Sequence, residues 1–82
     1  KGATITTLVQ NQFFHVYKYE LSGAASFHQE HYFQLFSVLD GQATLQLDHE
    51  FYTIKKGQHF ILPNGIGEFT MDGEATLIVS HP

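Results

Sequence analysis

The chain has 82 residues, a formal net charge of −4 at pH 7 and only four basic residues, all of them lysines. This length suits one compact domain, and the absence of a basic stripe argues against a nucleic-acid partner. The sequence has no cysteine and no apolar run near the ~20 residues of a membrane-spanning helix, so we predict neither a disulfide framework nor a membrane span. The expectation is one domain over residues 1–82, located in the cytoplasm.

The predicted elements are short β-strands that end at turn residues, and no window has apolar residues at helical spacing. Asp40-Gly41 and Asp72-Gly73 are the strongest hairpin signals, because an Asp-Gly pair suits a type I′ turn. The pattern predicts an all-β sandwich or barrel of about eight or nine strands. In chain order, the strand-like segments are residues 3–10, 13–21, 24–27, 32–40, 42–47, 51–54, 58–62, 67–71 and 74–80.

The fourth of these segments, YFQLFSVLD, is apolar on both faces. Phe36 and Val38 share one face, which we assign to the barrel interior, because alternate residues of a strand point to opposite sides. Phe33, Leu35 and Leu39 share the other face, where a half-exposed strand would carry polar residues. Either a second domain or another copy of the chain covers these three residues, or the N-terminal strands of this domain do. The sequence leaves both alternatives open.

The segment KKGQHFILPNGIGEF carries the spacing G-x5-P-x-G-x2-H of the second cupin motif. Gly57, Pro63 and Gly65 match it, and Glu68 stands at the histidine position. The proline ends a strand because it cannot extend a hydrogen-bonded ladder, and the glycine permits a positive φ in the turn. We therefore expect the next strand to aim Glu68 into the mouth of a barrel, where it is either a buried base with a raised pKa or a carboxylate at the rim.

The first cupin motif, G-x5-H-x-H-x3,4-E-x6-G, can be laid over Gly23 to Gly41, with Gly23 one residue closer than the motif asks. His28 then takes the first histidine position, Glu30 the second, and Gln34 the position of the glutamate. Of the four usual metal-ligand positions in the two motifs, only His28 keeps its residue type.

A narrower resemblance covers nearly the whole chain. FFHVYKYELSG, LFSVLDGQATL and IKKGQHFILPNGIGEFTMDGEATLIVSHP resemble the C-terminal cupin domain of bacterial type I mannose-6-phosphate isomerases, in the short form found in Firmicutes. The resemblance implies a small cupin-type jelly-roll β-barrel. It also implies a parent enzyme that interconverts mannose 6-phosphate and fructose 6-phosphate, with its zinc and catalytic residues in a larger N-terminal part. The chain, which begins without Met, is then expected to be a C-terminal fragment without catalytic residues.

Two interpretations of the motif positions remain. In one, His28, Glu30, Gln34 and Glu68 hold a divalent ion such as zinc or manganese, and His31 can replace Glu30. In the other, the site has degenerated and holds no metal, because cupin metal sites use two or three imidazoles and this set offers one. The second interpretation assigns structural roles to these positions.

Three functions are consistent with these sequence features. The first is a non-catalytic structural or interface domain whose partner is the N-terminal catalytic domain or a second copy in a homodimer. A sugar-phosphate isomerase needs cationic side chains that bind the phosphate and a base that moves a proton. The pattern around Lys55 and Lys56 predicts a solvated turn and not a phosphate site. This fragment alone is therefore predicted to be inactive. The second is a stand-alone module that binds a small sugar or carboxylate in an open mouth lined by His28, Gln34 and Glu68. The third is a small metalloenzyme.

Overall fold

The computed structural model describes residues 2–29 and 32–82, which form six β-strands and no helix. This part of the chain accordingly offers no helix long and apolar enough to span a membrane. The strands are β1 (Ala3–Gln10), β2 (His15–Gln29), β3 (Gln34–Leu47), β4 (Glu50–Lys55), β5 (His59–Leu62) and β6 (Gly67–His81).

All the strand pairs are antiparallel, and the sheet order is β1-β2-β6-β3-β4, with β5 also paired to β3. The sheet folds over on itself. Tyr19 and Phe27 lie eight positions apart on β2, roughly 27 Å along a straight strand, yet their ring centroids are 5.3 Å apart. We call the half that contains β1 and β5 layer 1, and the half that contains β4 layer 2. The long strands β2, β3 and β6 run through both.

Glycines line the bend between the two layers. Gly23 pairs with Gly73, and Gly41 on β3 pairs with the neighbouring Ala75 on β6. All three glycines have positive φ, at 109°, 150° and 76°, a region that other residues rarely adopt. A Cβ on Gly41 would lie 2.1 Å from the carbonyl oxygen of Glu74. Glycine is therefore required at this point both for backbone conformation and for close approach of the strands.

The all-β prediction is confirmed, but the hairpins predicted at Asp40-Gly41 and Asp72-Gly73 are wrong. β3 and β6 run straight through these pairs, because the positive φ of a glycine serves a bend within a strand as well as a turn. A register shift between Val38 and Asp40 marks a bulge beside the first pair. Three pairs of predicted segments thus merge into the long strands, which leaves six strands. The barrel is open on one side, where β4 and β5 pair with β3 and with no other strand of the described residues.

Candidate functional site

Between the layers, the interior is filled by stacked aromatic rings. Phe27 stacks on Phe69 with ring centroids 5.4 Å apart, and Phe36 meets Phe69 edge-on at 6.2 Å. Phe60 stacks on Phe36 at 4.8 Å, and Tyr19 stacks on Phe27. Aromatic pairs in these geometries add packing energy beyond the area that they bury. The inward positions of three long strands and of β5 therefore contribute to one apolar core.

Gln29 ties the end of β2 to the loop that follows β5. It is only 2% exposed. Its Nε2 donates to the carbonyl oxygen of Leu62 at 3.1 Å, and its Oε1 accepts from the backbone N–H of Ile66 at 3.3 Å. This loop contains the Pro63 and Gly65 of the second cupin motif. Both ends of the Gln29 amide are thus committed to holding that loop in place.

Gln34 also lies in the interior, where its side chain is hydrogen-bonded to that of Tyr19. Burial raises the pKa of the Tyr19 hydroxyl above its ordinary value, and the hydrogen bond from Gln34 opposes part of that rise. The phenol therefore stays neutral at physiological pH. The two groups form a buried polar pair within an otherwise apolar region.

His28 and Glu68 lie opposite each other on β2 and β6. Both are exposed, whereas the residues that follow them, Gln29 and Phe69, are buried. Because side chains alternate between the faces of a strand, His28 and Glu68 point away from the interior. The prediction that Glu68 aims into the barrel mouth is wrong.

The four motif positions are consequently not brought together. Gln34 faces inward, His28 and Glu68 face outward, and Glu30 and its possible substitute His31 lie outside the described residues. Within residues 2–29 and 32–82, no group of three or more His, Asp or Glu side chains is placed to hold a metal ion. A zinc or manganese site needs converging donors, so the described donors do not fit such an ion.

The motif alignment placed the inward-facing positions one residue away from the side chains that do face inward. The first motif allows either three or four residues before its glutamate position, and the four-residue spacing selects Phe27 and Gln29 instead of His28 and Glu30. The buried residue after Glu68 is likewise Phe69. Strand alternation was the signal that could have found them, because Phe27, Gln29, Phe69 and Met71 share the inward parity of their strands.

Gln34 does line a cleft, but with different neighbours from those predicted for a binding module. The cleft has a volume of about 210 Å³, below the roughly 300 Å³ at which small-molecule sites begin. The ring of Tyr32 stacks on His81 at 3.9 Å beside it, and His81 also stacks on His15 at 4.8 Å. Its lining residues are Ile5, Tyr17, Tyr19, Tyr32, Gln34 and His81.

The outer faces of the two layers differ sharply. Layer 2 alternates apolar inside with polar outside, and among its described residues Phe51 is the one large apolar side chain on the outside. An antiparallel sheet with one solvated face has this pattern. The polar residues on its outer face are Ser26, His28, Gln42, Thr44, Gln46, Thr53, Lys55, Glu68, Thr70 and Asp72.

Layer 1 carries a row of mainly apolar side chains across its outer face. Cross-strand partners, which share a face, connect this row from β1 to β5. In order they are Val9, Val16, Ser80, Leu35 and Ile61. We define the apolar patch as Val9, Phe13, Phe14, Val16, Phe33, Leu35 and Ile61.

The apolar patch includes two of the three residues predicted to form an interface. Phe33 is 44% exposed, Leu35 41% and Leu39 49%. The alternative in which the N-terminal strands of this domain cover them is therefore wrong, because β1 lies at the far edge of layer 1. Leu39, at the bulge in β3, stands apart from the row.

The family model for the mannose-6-phosphate isomerase cupin domain matches residues 4–82. The chain belongs to this family. The putative mannose-6-phosphate isomerase YvyI of Bacillus subtilis is 44% identical over 81 residues, which are 99% of this chain and 26% of that protein. The crystal structure of the mannose 6-phosphate isomerase from Bacillus subtilis superposes with a TM-score of 0.95 at 44% identity, over all of this chain and 26% of that one.

Similarity at the level of fold extends further. The cupin domain of Schizosaccharomyces pombe Cnp3 superposes with a TM-score of 0.84 at 18% identity, over 99% of this chain and 64% of that one. The cupin jelly-roll prediction is thereby confirmed. The chain spans about a quarter of the length of the mannose-6-phosphate isomerases that it matches.

Proposed function

We propose that this chain is a non-catalytic, C-terminal domain of a mannose-6-phosphate isomerase and docks onto the catalytic part of that enzyme through its apolar patch. The parent reaction is the interconversion of mannose 6-phosphate and fructose 6-phosphate. Membership of the family supports a mannose-6-phosphate isomerase as the parent protein. The chain covers 26% of a relative's length, so the remaining part of such an enzyme is large enough to be the docking partner. The same relationship to metabolic enzymes supports a cytoplasmic location.

The contrast between the two outer faces carries the proposal. Layer 2 has the polar exterior of a solvated sheet, whereas layer 1 carries the apolar patch on the corresponding side. A contiguous apolar surface is a typical docking surface. Phe14, Phe33 and Leu35 also line one shallow depression of about 330 Å³, into which side chains of a partner can pack.

The interior supports the absence of catalysis. Among the described residues, its buried polar side chains are Gln29, Gln34 and His81, and none of these is a lysine or arginine that could hold a phosphate. Lys55 and Lys56 are exposed, the first at the end of β4 and the second in the turn at residues 56–57. An isomerase of sugar phosphates needs a cationic phosphate site and a base that moves a proton. We assign both, and the zinc implied by the resemblance, to the rest of the parent chain.

The change Leu35→Glu in the full-length isomerase tests this proposal, with Phe51→Glu on the outer face of layer 2 as the matched control. We expect Leu35→Glu to lower the unfolding free energy of the enzyme by at least ~2 kcal/mol, because it removes a buried leucine and introduces a charge into an apolar contact. Phe51→Glu should lie within about 0.5 kcal/mol of the wild type. Thermal and urea unfolding of the three proteins measure this.

The same two substitutions are also measured in the isolated 82-residue chain. There Leu35 faces solvent, so both variants should match the wild type within about 0.5 kcal/mol. Equal stability of the two full-length variants would contradict docking through the patch. If the isolated chain is a dimer that Leu35→Glu dissociates, the patch serves self-association and the catalytic part is not its partner.

A further inference from the structure

The open side of the barrel forms a second apolar surface, which shares Ile61 with the apolar patch but is otherwise lined by different residues. A groove of about 430 Å³ lies there, between β4 and β5. Leu45, Ile54 and Leu62, which belong to the buried core, form part of its lining. Tyr52 and Ile61 also line the groove and are 45% and 61% exposed, so a segment that fills it would bury their apolar surface.

Tyr52 shows that this side lacks a cover. It pairs directly with the buried Leu45 on β3 and therefore faces inward, yet it is 45% exposed. Its neighbour Phe51 pairs with Gln46 on the outer face and is 65% exposed. Ile54, two positions further along the inward face, is buried. An inward-facing aromatic side chain that is half exposed marks the place where the two layers are not closed.

The chemistry of the groove suits a permanent apolar contact. Among the residues that the structure describes, no charged side chain lines it, and the polar lining residues are Thr53, Gln58 and His59. The carboxylate of Glu50 accepts a hydrogen bond from the hydroxyl of Tyr52, another lining residue. Interface cores that are depleted of charge are typical of stable contacts. The lining residues are Leu45, Leu47, Tyr52, Thr53, Ile54, Gln58, His59, Phe60, Ile61 and Leu62.

We propose that an apolar segment of the same parent chain, from outside these 82 residues, fills the groove and completes the barrel. The inference rests on the proposed function, since it requires the longer chain, but it concerns a different surface. The length available supports it, because the chain covers 26% of a Bacillus relative and 64% of a cupin domain of the same fold. Within the part of the chain that the structure describes, β4 and β5 each retain an unpaired edge, which an extended segment could join through backbone hydrogen bonds.

A second copy of this chain fits the groove less well. Apart from the β4 and β5 edges that border the groove itself, a second copy offers the free edge of β1, at the opposite end of the sheet order. Insertion of β1 into the groove of a neighbour would leave that neighbour's own β1 free for the next copy. Such a head-to-tail contact propagates into a filament unless its rotation closes a ring. A segment of the same chain fills the groove without this consequence.

Site-specific photocrosslinking in the full-length isomerase tests the proposal. A benzoylphenylalanine replaces Tyr52 in one variant and Phe51 in the matched control, which lies on the other face of the same strand. We expect position 52 to form an intramolecular crosslink to a peptide outside the 82 residues, and position 51 to give less than a tenth of that yield. Mass spectrometry of the digested monomer band identifies the peptide.

Three results at position 52 would overturn the proposal: no crosslink, crosslinks only within the 82 residues, or crosslinks to a second copy. If a photoreactive variant fails to fold, Tyr52→Cys and Phe51→Cys in a cysteine-free full-length enzyme replace it. Maleimide labelling should then be at least tenfold slower at position 52 than at position 51, and equal rates would overturn the proposal. The Leu35→Glu experiment probes the apolar patch alone, so failure of either hypothesis is recognised separately.

Discussion

At the residue scale, Gln29 shows how a cupin interior can become a structural core. The four-residue spacing of the first motif gives it an inward position at which the pattern has a histidine. Its amide instead bonds to the backbone of Leu62 and Ile66. Phe27 and Phe69, at the neighbouring inward positions, stack on each other. These side chains hold the protein together where an imidazole could bind a metal.

Gln29→Met keeps the length of the side chain and removes both hydrogen bonds. The buried carbonyl of Leu62 and the N–H of Ile66 then lose their partner, and we expect the unfolding free energy to fall by about 1–3 kcal/mol. Gln42→Met is the matched control, since Gln42 is exposed on the outer face of layer 2. Urea denaturation of the 82-residue chain measures both. Equal midpoints would show that the Gln29 bonds contribute nothing.

The residues at the motif positions could be identified from the sequence, but the directions in which their side chains point could not. His28 keeps the residue type of a ligand, which favoured the wrong one of two allowed spacings. Burial decided between them, because Phe27 and Gln29 point into the core and His28 points outward. Motif spacing alone cannot determine this, since a shift of one residue reverses the face of every side chain.

At the element scale, three glycines determine the number of strands. Gly23, Gly41 and Gly73 let β2, β3 and β6 bend from one layer into the other without a break. The β-rich runs on either side of each bend were predicted from their composition. That each pair of runs forms one continuous strand was not predicted, because the positive φ of the glycine in an Asp-Gly pair suits a hairpin turn and a bend equally well. Only the cross-strand register of the folded sheet distinguishes the two.

Gly41→Ala and Gly57→Ala separate close approach from backbone strain. Both glycines have positive φ, 76° and 90°, so each alanine should cost about 1–2 kcal/mol in conformational strain. A Cβ at Gly41 would also meet the Glu74 carbonyl oxygen at 2.1 Å, whereas at Gly57 it would meet no atom within 4 Å. We therefore expect Gly41→Ala to destabilise the chain by at least ~2 kcal/mol more, or to prevent folding. Urea denaturation of the isolated chain measures the unfolding free energy of both variants. Similar decreases for the two would contradict the close approach of the strands at Gly41.

At the scale of the whole molecule, two surfaces distinguish this chain from a closed, independent barrel. The apolar patch lies on the outside of layer 1, and the groove opens between β4 and β5. The segment from Tyr32 to Asp40 predicted part of the patch from its two apolar faces. Phe14, Val16 and Ile61 were not predicted, because they join the patch only through the pairing of strands that are distant in sequence. The groove was also missed, since a count of strands does not reveal which edges remain unpaired.

Hydroxyl-radical footprinting of the full-length isomerase beside the isolated 82-residue chain tests directly whether the apolar patch is buried against the rest of the enzyme while the outer face of layer 2 is not. We expect Phe14 and Phe33 to react at least fivefold more slowly in the full-length enzyme, and Phe51 to react at the same rate in both proteins. Equal rates for Phe14 and Phe33 in the two proteins would contradict the burial of the patch.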